Sequence, residues 1–124
     1  MFPFWAGATS EEVKNHIATK TTEASLYAPV FNAIAWAESQ FNPQAVNWNC
    51  YYGGKSKPCK KQDRDKAWSV DCGLYQINYK GNKCPSELFD IDINLARAED
   101  LYFQRGYSPW SASFKVWITY RDDT

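Results

Sequence analysis

The sequence predicts an α+β fold in which helices surround a small inserted antiparallel sheet, with a cleft between the helical lobe and the sheet lobe. Apolar residues recur at helical spacing before residue 40 and after residue 90, whereas the segment between them is rich in Tyr, Gly and turn residues. The length of 124 residues is enough for one domain with a single core.

The first two helices are predicted from a start signal and from apolar spacing. Thr9 with Glu12 matches a capping box, which opens a helix from about Ser10 to Thr22. A second helix is expected from roughly Leu26 to Ser39.

The middle of the chain predicts the sheet. Tyr51–Tyr52 and Ala67–Val70 have the composition of short strands. Gly53–Gly54 and the region Lys55–Lys66 are expected to supply turns and a mostly basic hairpin tip. That tip is either a solvated hairpin or a contact for an anionic cell envelope.

A third helix and a short fourth one are predicted after the sheet. Asp90 is a suitable cap for a helix from about Ile91 to Arg105, and Gly106 is expected to end it in a left-handed conformation. Apolar spacing makes this helix core scaffold. Ser108-Pro109 is typical of the cap and first position of a further short helix.

Glu38 is the first candidate catalytic residue. It shares one side of the second helix with Phe31 and Ile34, so its carboxyl faces apolar surroundings, which raises its pKa and suits a general acid. Because Pro43 forces Asn42 out of helical geometry, the helix ends nearby and places Glu38 at a cleft edge. The alternative is an ordinary solvated glutamate at a helix end.

Two motifs in order carry a resemblance to a known superfamily. Residues 38–45 give E-S-x-F-N-P-x-A and residues 71–78 give D-x-G-L-x-Q-I-N, a combination that resembles the lysozyme and lytic transglycosylase superfamily. The resemblance continues through Leu88–Tyr102 and Ser108–Trp110, covering roughly residues 27 to 112. It implies a lysozyme-like fold and cleavage of the peptidoglycan β-1,4 bond between N-acetylmuramic acid and N-acetylglucosamine.

Asp71 is the second candidate. It belongs to the sheet lobe while Glu38 belongs to the helical lobe, so the fold can place the two on opposite walls of the cleft. Glycoside hydrolysis uses such a pair, and the resemblance implies that Asp71 is the nucleophile or stabiliser. The alternative is a strand-end aspartate bonded to a turn backbone.

Three activities remain open, with lysozyme-type hydrolysis first. A lytic transglycosylase would use Glu38 as both acid and base, with the sugar's own hydroxyl replacing water, and a catalytically inactive glycan-binding module is the third. The A-Y-N-A-G motif of soluble transglycosylases is replaced by SPWSAS, which favours hydrolysis. The 33 positions from Glu38 to Asp71 exceed the spacing of compact animal lysozymes, and a longer sheet could shift Asp71. A phage or bacterial setting is expected rather than an animal one.

Further residues are assigned to substrate binding by the resemblance, with peptidoglycan glycan strands or chitooligosaccharides as the ligand. Gln76 and Asn78 are expected to border the scissile bond, and Trp110 is expected to shield Glu38. Core packing is the alternative for each aromatic. The remaining candidates for sugar contact are Ser39, Trp48, Tyr75 and Tyr79.

The four cysteines predict two disulfides, with free buried thiols as the alternative. Their spacing lacks the C-x-x-C pairs of a zinc site, and His16, best read as structural or surface, is the only imidazole, so neither metal nor cofactor is expected. Of three connectivities, the sequential one closes local loops and is preferred: Cys50 with Cys59 and Cys72 with Cys84. Disulfides indicate an oxidising compartment, so the protein is expected to be secreted, periplasmic or virion-associated.

Charge and hydropathy exclude other partner classes. The 14 basic residues equal the 14 acidic ones, which argues against a general nucleic-acid or membrane-surface binder. No transmembrane run is present, and a monomer is expected. The opening MFPFWAGA lacks the features of a secretory signal, so it is interpreted as the trimmed start of a mature protein or an excised domain.

Overall fold

A computed structural model describes residues 8–20 and 24–120 of the chain. The α-helices are α1 (Ser10–Lys20), α2 (Ala24–Ser39), α3 (Ile91–Arg105) and α4 (Phe114–Trp117). The strands are β1 (Val46–Tyr52), β2 (Lys55–Pro58), β3 (Ser69–Cys72) and β4 (Ile77–Lys80). Short 3₁₀ helices cover Lys61–Lys66, Ser86–Phe89 and Ser108–Ser113. Helices around a four-stranded sheet confirm the predicted α+β class.

The four strands form one antiparallel sheet in the order β2-β1-β3-β4. Asp71 of the central strand β3 lies opposite Asn47 of β1 and Asn78 of β4. Because side chains alternate along a strand, these three residues project from the same face of the sheet. We call this face, which also carries Asn49 and Ser69, the cleft face.

The opposite face of the sheet packs toward the core. Val70 and Cys72 of β3 are fully buried there, beside apolar residues of the helices. From α2, Phe31 and Ile34 enter the same core, as the helical spacing predicts, and α3 contributes Leu95. One core therefore joins the helices to the back of the sheet.

Buried Asn94 fastens α3 to the turn between β3 and β4. Its Nδ2 donates to the carbonyl oxygens of Leu88 (2.8 Å) and Cys72 (2.9 Å), and its Oδ1 accepts from the Tyr75 N–H (2.8 Å). Gly73 lies against it at φ +73°, where a Cβ would come within 2.3 Å of the Leu88 oxygen. Only glycine fits this turn, which fixes the strand end that carries the motif residues.

Two predicted helix starts are confirmed. Thr9 and Glu12 exchange backbone-to-side-chain hydrogen bonds of 3.0 and 3.1 Å, as a capping box requires. The predicted end of this helix at Thr22 lies outside the described residues. Asp90 caps α3 by accepting from the Ile93 N–H at 3.1 Å.

Two predicted helix boundaries need correction. Gly106 has φ 62° but ψ −141°, so it ends α3 at positive φ without entering the left-handed helical region. Ser108 does not cap the next helix: Tyr107 occupies the cap position, and the Ser108 hydroxyl donates back to the Arg105 carbonyl at 3.0 Å. Pro109 does lie in the first turn, where its missing N–H costs nothing.

The sheet is larger than the sequence predicts. The expected turn region Lys55–Lys66 contains the edge strand β2 and a 3₁₀ helix, and β4 was not predicted. The sequence of β2, Lys-Ser-Lys-Pro, has little strand propensity, so its conformation depends on pairing with β1.

Both disulfides have the sequential connectivity. Cys50 pairs with Cys59, which ties β1 to the residue after β2, and Cys72 pairs with Cys84, which ties β3 to the segment before α3. Each restricts the unfolded chain and contributes about 3 kcal/mol of stability. These bonds are compatible with an extracytoplasmic location. Within residues 8–20 and 24–120, no helix is long and apolar enough to cross a membrane.

Candidate active site

A cleft of about 700 Å³ lies between the end of α2, the cleft face of the sheet and the outer side of α3. Glu38 and Asp71 both line it, one from the helical lobe and one from the sheet lobe. The structure therefore brings together the two carboxyl groups that the sequence singled out.

Glu38 is half-buried at the C-terminal end of α2. Burial raises the pKa of its carboxyl above the ordinary value, a hydrogen bond from Ser113 partly opposes this, and the nearby charge of Asp71 raises it further. The net direction is upward, which keeps the carboxyl protonated to higher pH. The pKa direction expected from its helix face is confirmed.

The backbone that follows Glu38 turns sharply. Gln40 and Phe41 both adopt positive φ, at 54° and 62°, although neither is glycine. Each such residue costs roughly 1 kcal/mol, and the turn is held by a 2.8 Å bond from the Gln40 N–H to the Trp36 carbonyl. Because of this turn, α2 ends at Ser39, one residue after Glu38, and the Phe41 side chain is buried in the core.

Ser113 links Glu38 to the 3₁₀ helix Ser108–Ser113, residues of which also line the cleft. Its hydroxyl oxygen contacts Glu38 Oε2 and lies 3.2 Å from the Trp110 carbonyl oxygen. A hydroxyl carries one proton, so it donates either to ionised Glu38 or to that carbonyl while accepting from protonated Glu38. Trp117 Nε1 also donates to the Trp110 carbonyl at 3.1 Å, so this oxygen keeps a partner in both states.

Asp71 is held by two amide side chains. Asn78 Nδ2 donates to Oδ1 at 2.9 Å, and Asn49 Nδ2 donates to Oδ2 at 3.1 Å. Both amides also donate to the hydroxyl oxygen of buried Ser69, at 3.0 and 3.1 Å. The carboxylate is thus oriented by strand neighbours, not by a turn backbone as the alternative interpretation would require.

Gln76, the residue before β4, lines the cleft and has a positive φ of 53°. Its Nε2 donates to the carbonyl oxygens of Gly73 (3.0 Å) and Ala45 (3.3 Å), and its Oε1 accepts from Asn47 Nδ2 at 2.6 Å. These bonds tie the loop after α2 to the sheet. The side chain's first role is therefore to hold the cleft wall, while exposed Asn78 beside it faces solvent.

Trp110 lines the cleft although only 2% of it is exposed. Its Nε1 donates to the Tyr75 carbonyl at 3.1 Å, and its ring meets Phe31 edge-on at a centroid distance of 6.4 Å. The indole is thus fixed in the core with an edge toward the cleft. Shielding of Glu38 by Trp110 remains a prediction.

Three aromatic candidates lie outside the cleft. Tyr75 is fully buried, so its ring cannot stack on a sugar. Tyr79 is 47% exposed but follows Asn78 in β4, so it projects from the opposite face of the sheet. Trp48 lies on that same opposite face, where Arg64 sits 4.3 Å from its ring centroid.

Ser39 also differs from its expected role. Its hydroxyl lies within hydrogen-bonding distance of the carbonyl oxygens of Leu74 (2.8 Å) and Ala35 (3.1 Å). The single hydroxyl proton is thus used to fasten the end of α2 to the turn after β3. Ser39 therefore positions Glu38 through the backbone, and its contact with sugar stays a prediction.

The sequence interpretation missed one wall of the cleft. Polar residues of α3 line it: Arg97, Asp100, Gln104 and Arg105. The spacing of three and four residues between Arg97, Asp100 and Gln104 marks one helix face, a signal that is present in the sequence beside the apolar spacing that indicated core scaffold. Ser113 was missed too, and nothing local in the sequence points to it.

Comparisons with known proteins give one match. The family model described as the transglycosylase SLT domain matches residues 15–120. No curated protein and no solved structure matches the chain. The match spans both motifs and confirms the resemblance that they indicated.

Proposed function

Because the chain belongs to the transglycosylase SLT domain family, we propose that it is a lytic transglycosylase. It cleaves the β-1,4 bond between N-acetylmuramic acid and N-acetylglucosamine in peptidoglycan and leaves a 1,6-anhydro end. The sequence placed hydrolysis first, but the family match supports this alternative better. The observation that carries the proposal is Glu38, a half-buried carboxyl of raised pKa on the cleft wall.

The reaction uses one carboxyl group twice. Protonated Glu38 donates its proton to the glycosidic oxygen, the bond from that oxygen to C1 of N-acetylmuramic acid breaks, and the N-acetylglucosamine end leaves. Ionised Glu38 then takes the proton from the C6 hydroxyl of N-acetylmuramic acid, whose oxygen bonds to C1. The proton returns to Glu38, water is not consumed, and no cofactor is required.

Ser113 suits this alternation between acid and base. When Glu38 is ionised the Ser113 hydroxyl donates to it, and when Glu38 is protonated the hydroxyl rotates toward the Trp110 carbonyl. Both protonation states therefore keep a hydrogen-bonded partner in a half-buried site, where an unpaired carboxylate is costly. Ser113 acts as a positioning residue for Glu38.

Muramidase hydrolysis is the second candidate, and Asp71 is the observation that favours it. Asp71 lies across the cleft from Glu38, with both carboxylate oxygens held by amides of Asn49 and Asn78. An oriented carboxylate at this place could stabilise a cationic sugar or attack it. The transglycosylase route uses Asp71 only for electrostatic stabilisation.

Mass spectrometry of digested peptidoglycan tests the proposal. Fragments lighter by one water than the corresponding reducing-end muropeptides are expected, and Glu38→Gln should produce them at least about a hundredfold more slowly. Reducing-end fragments alone would establish the muramidase instead, while no fragments from the folded protein would point to a glycan-binding module. We expect the protein in the periplasm, outside the cell or on a virion, because the proposed substrate lies outside the cytoplasm and the two disulfides are compatible with an oxidising compartment.

A further inference from the structure

The cleft face of the sheet continues beyond the residues that line the cleft. Asp71 lies in one rung of the sheet with Asn47 and Asn78, and the next rung carries Ser69 and Lys80. Successive rungs on one face are about 7 Å apart. Lys80 thus lies one step outside the cleft on the same face as Asp71.

An ordered aromatic pair follows that rung. The rings of Tyr51 and Trp68 are stacked at a centroid distance of 5.2 Å with 23° between their planes. Lys80 Nζ lies 4.6 Å from the centroid of Trp68, and Trp68 Nε1 donates to Ser56 Oγ at 3.0 Å. We call Tyr51, Trp68 and Lys80 the distal platform.

The distal platform is held in place yet faces water. Trp68 covers one face of the Tyr51 ring, and 58% of Tyr51 remains exposed. A stack, a cation and a hydrogen bond fix these side chains, so little conformational freedom is left to lose when a ligand binds. Tyr51 is four residues from Asn47 on β1, on the order of 13 Å from the level of Asp71.

The charge of the sheet lobe favours an anionic ligand. Residues 46–84 contain eight basic and three acidic side chains, a net charge of +5. The rest of the chain contains six basic and eleven acidic ones, a net charge of −5. The overall neutrality of the protein therefore conceals a positive sheet lobe, which attracts anions to the neighbourhood of Lys80.

We propose that the distal platform is an additional subsite for the glycan strand. An N-acetylated sugar ring stacks on the open face of Tyr51, and a carboxylate of the peptide attached to the strand pairs with Lys80. This choice of ligand rests on the proposed function, because peptidoglycan combines such sugars with acidic peptides. Strands long enough to fill the cleft and reach Tyr51 gain affinity that short fragments lack.

Binding to the Glu38→Gln protein, which leaves the ligand intact, tests the subsite. The dissociation constants of peptidoglycan chains from one disaccharide upward are measured by calorimetric titration. Adding Tyr51→Ala should raise the dissociation constant of the longest chains about fivefold. The dissociation constant of the shortest chains should not change. Tyr79→Ala is the matched control, because this tyrosine has similar exposure on the opposite face of the same sheet.

A charge variant separates the sugar from the peptide. Lys80→Gln should weaken the binding of only those chains that keep their peptides. This loss of affinity should be smaller at high salt, because screening weakens exposed charge pairs. Chains stripped of peptides should bind it normally. Lys57→Gln, on exposed β2, is the control and should change nothing.

Two results would overturn the subsite: equal binding of long chains with and without Tyr51→Ala, or equal losses for short and long chains. If Tyr51→Ala does not fold, the indole N–H resonance of Trp68 in the Glu38→Gln protein replaces it. This resonance should shift with long chains only, and an unmoved signal would equally reject the subsite. A digest without anhydro products but with Tyr51-dependent binding would reject the proposed reaction and retain the subsite.

Discussion

The pairing of Ser113 with Glu38 yields a prediction of definite sign. Ser113→Ala removes the hydrogen bond that lowers the pKa of Glu38, while burial and the charge of Asp71, which raise it, remain. The pKa of Glu38 should therefore rise. A general acid works while protonated, so the basic limb of the pH–activity profile should move to higher pH.

Ser113→Ala should also lower kcat, because the same hydrogen bond stabilises the ionised form of Glu38 that arises during the reaction. A hydrogen bond to a charged group contributes about 1.5–3 kcal/mol, but Glu38 is only half-buried and solvent screening reduces this to about 1 kcal/mol. That energy corresponds to about fivefold in kcat. The stability cost should be small, because the Trp110 carbonyl keeps its bond from Trp117 Nε1.

Release of soluble fragments from purified peptidoglycan across a pH series measures both effects. Ser111→Ala is the matched control, since Ser111 lies in the same 3₁₀ helix with its side chain exposed. Thermal unfolding of both variants checks that neither has lost its fold. A basic limb that stays in place, or moves to lower pH, in folded Ser113→Ala would refute the role assigned to Ser113.

Three more substitutions probe the cleft. Glu38→Gln should lower turnover of cell walls a hundredfold or more, because no acid remains, and near-normal lysis by the folded variant would exclude Glu38. Asp71→Asn should retain a substantial share of activity on sacculi if the reaction is transglycosylation, whereas loss of most activity favours the muramidase. Trp110→Ala should admit water, lower the pKa of Glu38 and move the basic limb to lower pH. In that variant, reduced stability with an unmoved limb would mean that Trp110 serves the core alone.

The sequence predicted the features that depend on local periodicity. The direction of Glu38 follows from its spacing to Phe31 and Ile34 within one helix, and the start of α3 follows from Asp90 alone. Both are set by residues a few positions away. The structure confirms both for that reason.

The sequence could not assign the sheet residues to faces without strand boundaries. Adjacent residues of a strand project to opposite sides, so Asn78 and Tyr79 cannot both face the cleft. Because β4 was not predicted, this alternation could not be applied to them. Tyr75 precedes the strand and is fully buried, and its N–H donates to Asn94, 19 positions away, a long-range contact that local spacing does not reveal.

The contact between Ser113 and Glu38 could not be predicted from the sequence. The two residues are 75 positions apart, and their approach depends on how the 3₁₀ helix after α3 packs against α2. No periodicity within either element contains that information. The polar face of α3, by contrast, is visible in the sequence as the spacing of Arg97, Asp100 and Gln104, although the apolar face of the same helix is sufficient to predict the helix.

In the proposed reaction the C6 hydroxyl of N-acetylmuramic acid, which gives its proton to Glu38, replaces water as the nucleophile. Digestion of peptidoglycan in water labelled with a heavy oxygen isotope tests it most directly. Mass spectrometry should find anhydro ends that carry no label at C1. Labelled oxygen at newly formed reducing ends would contradict this reaction and identify a hydrolase.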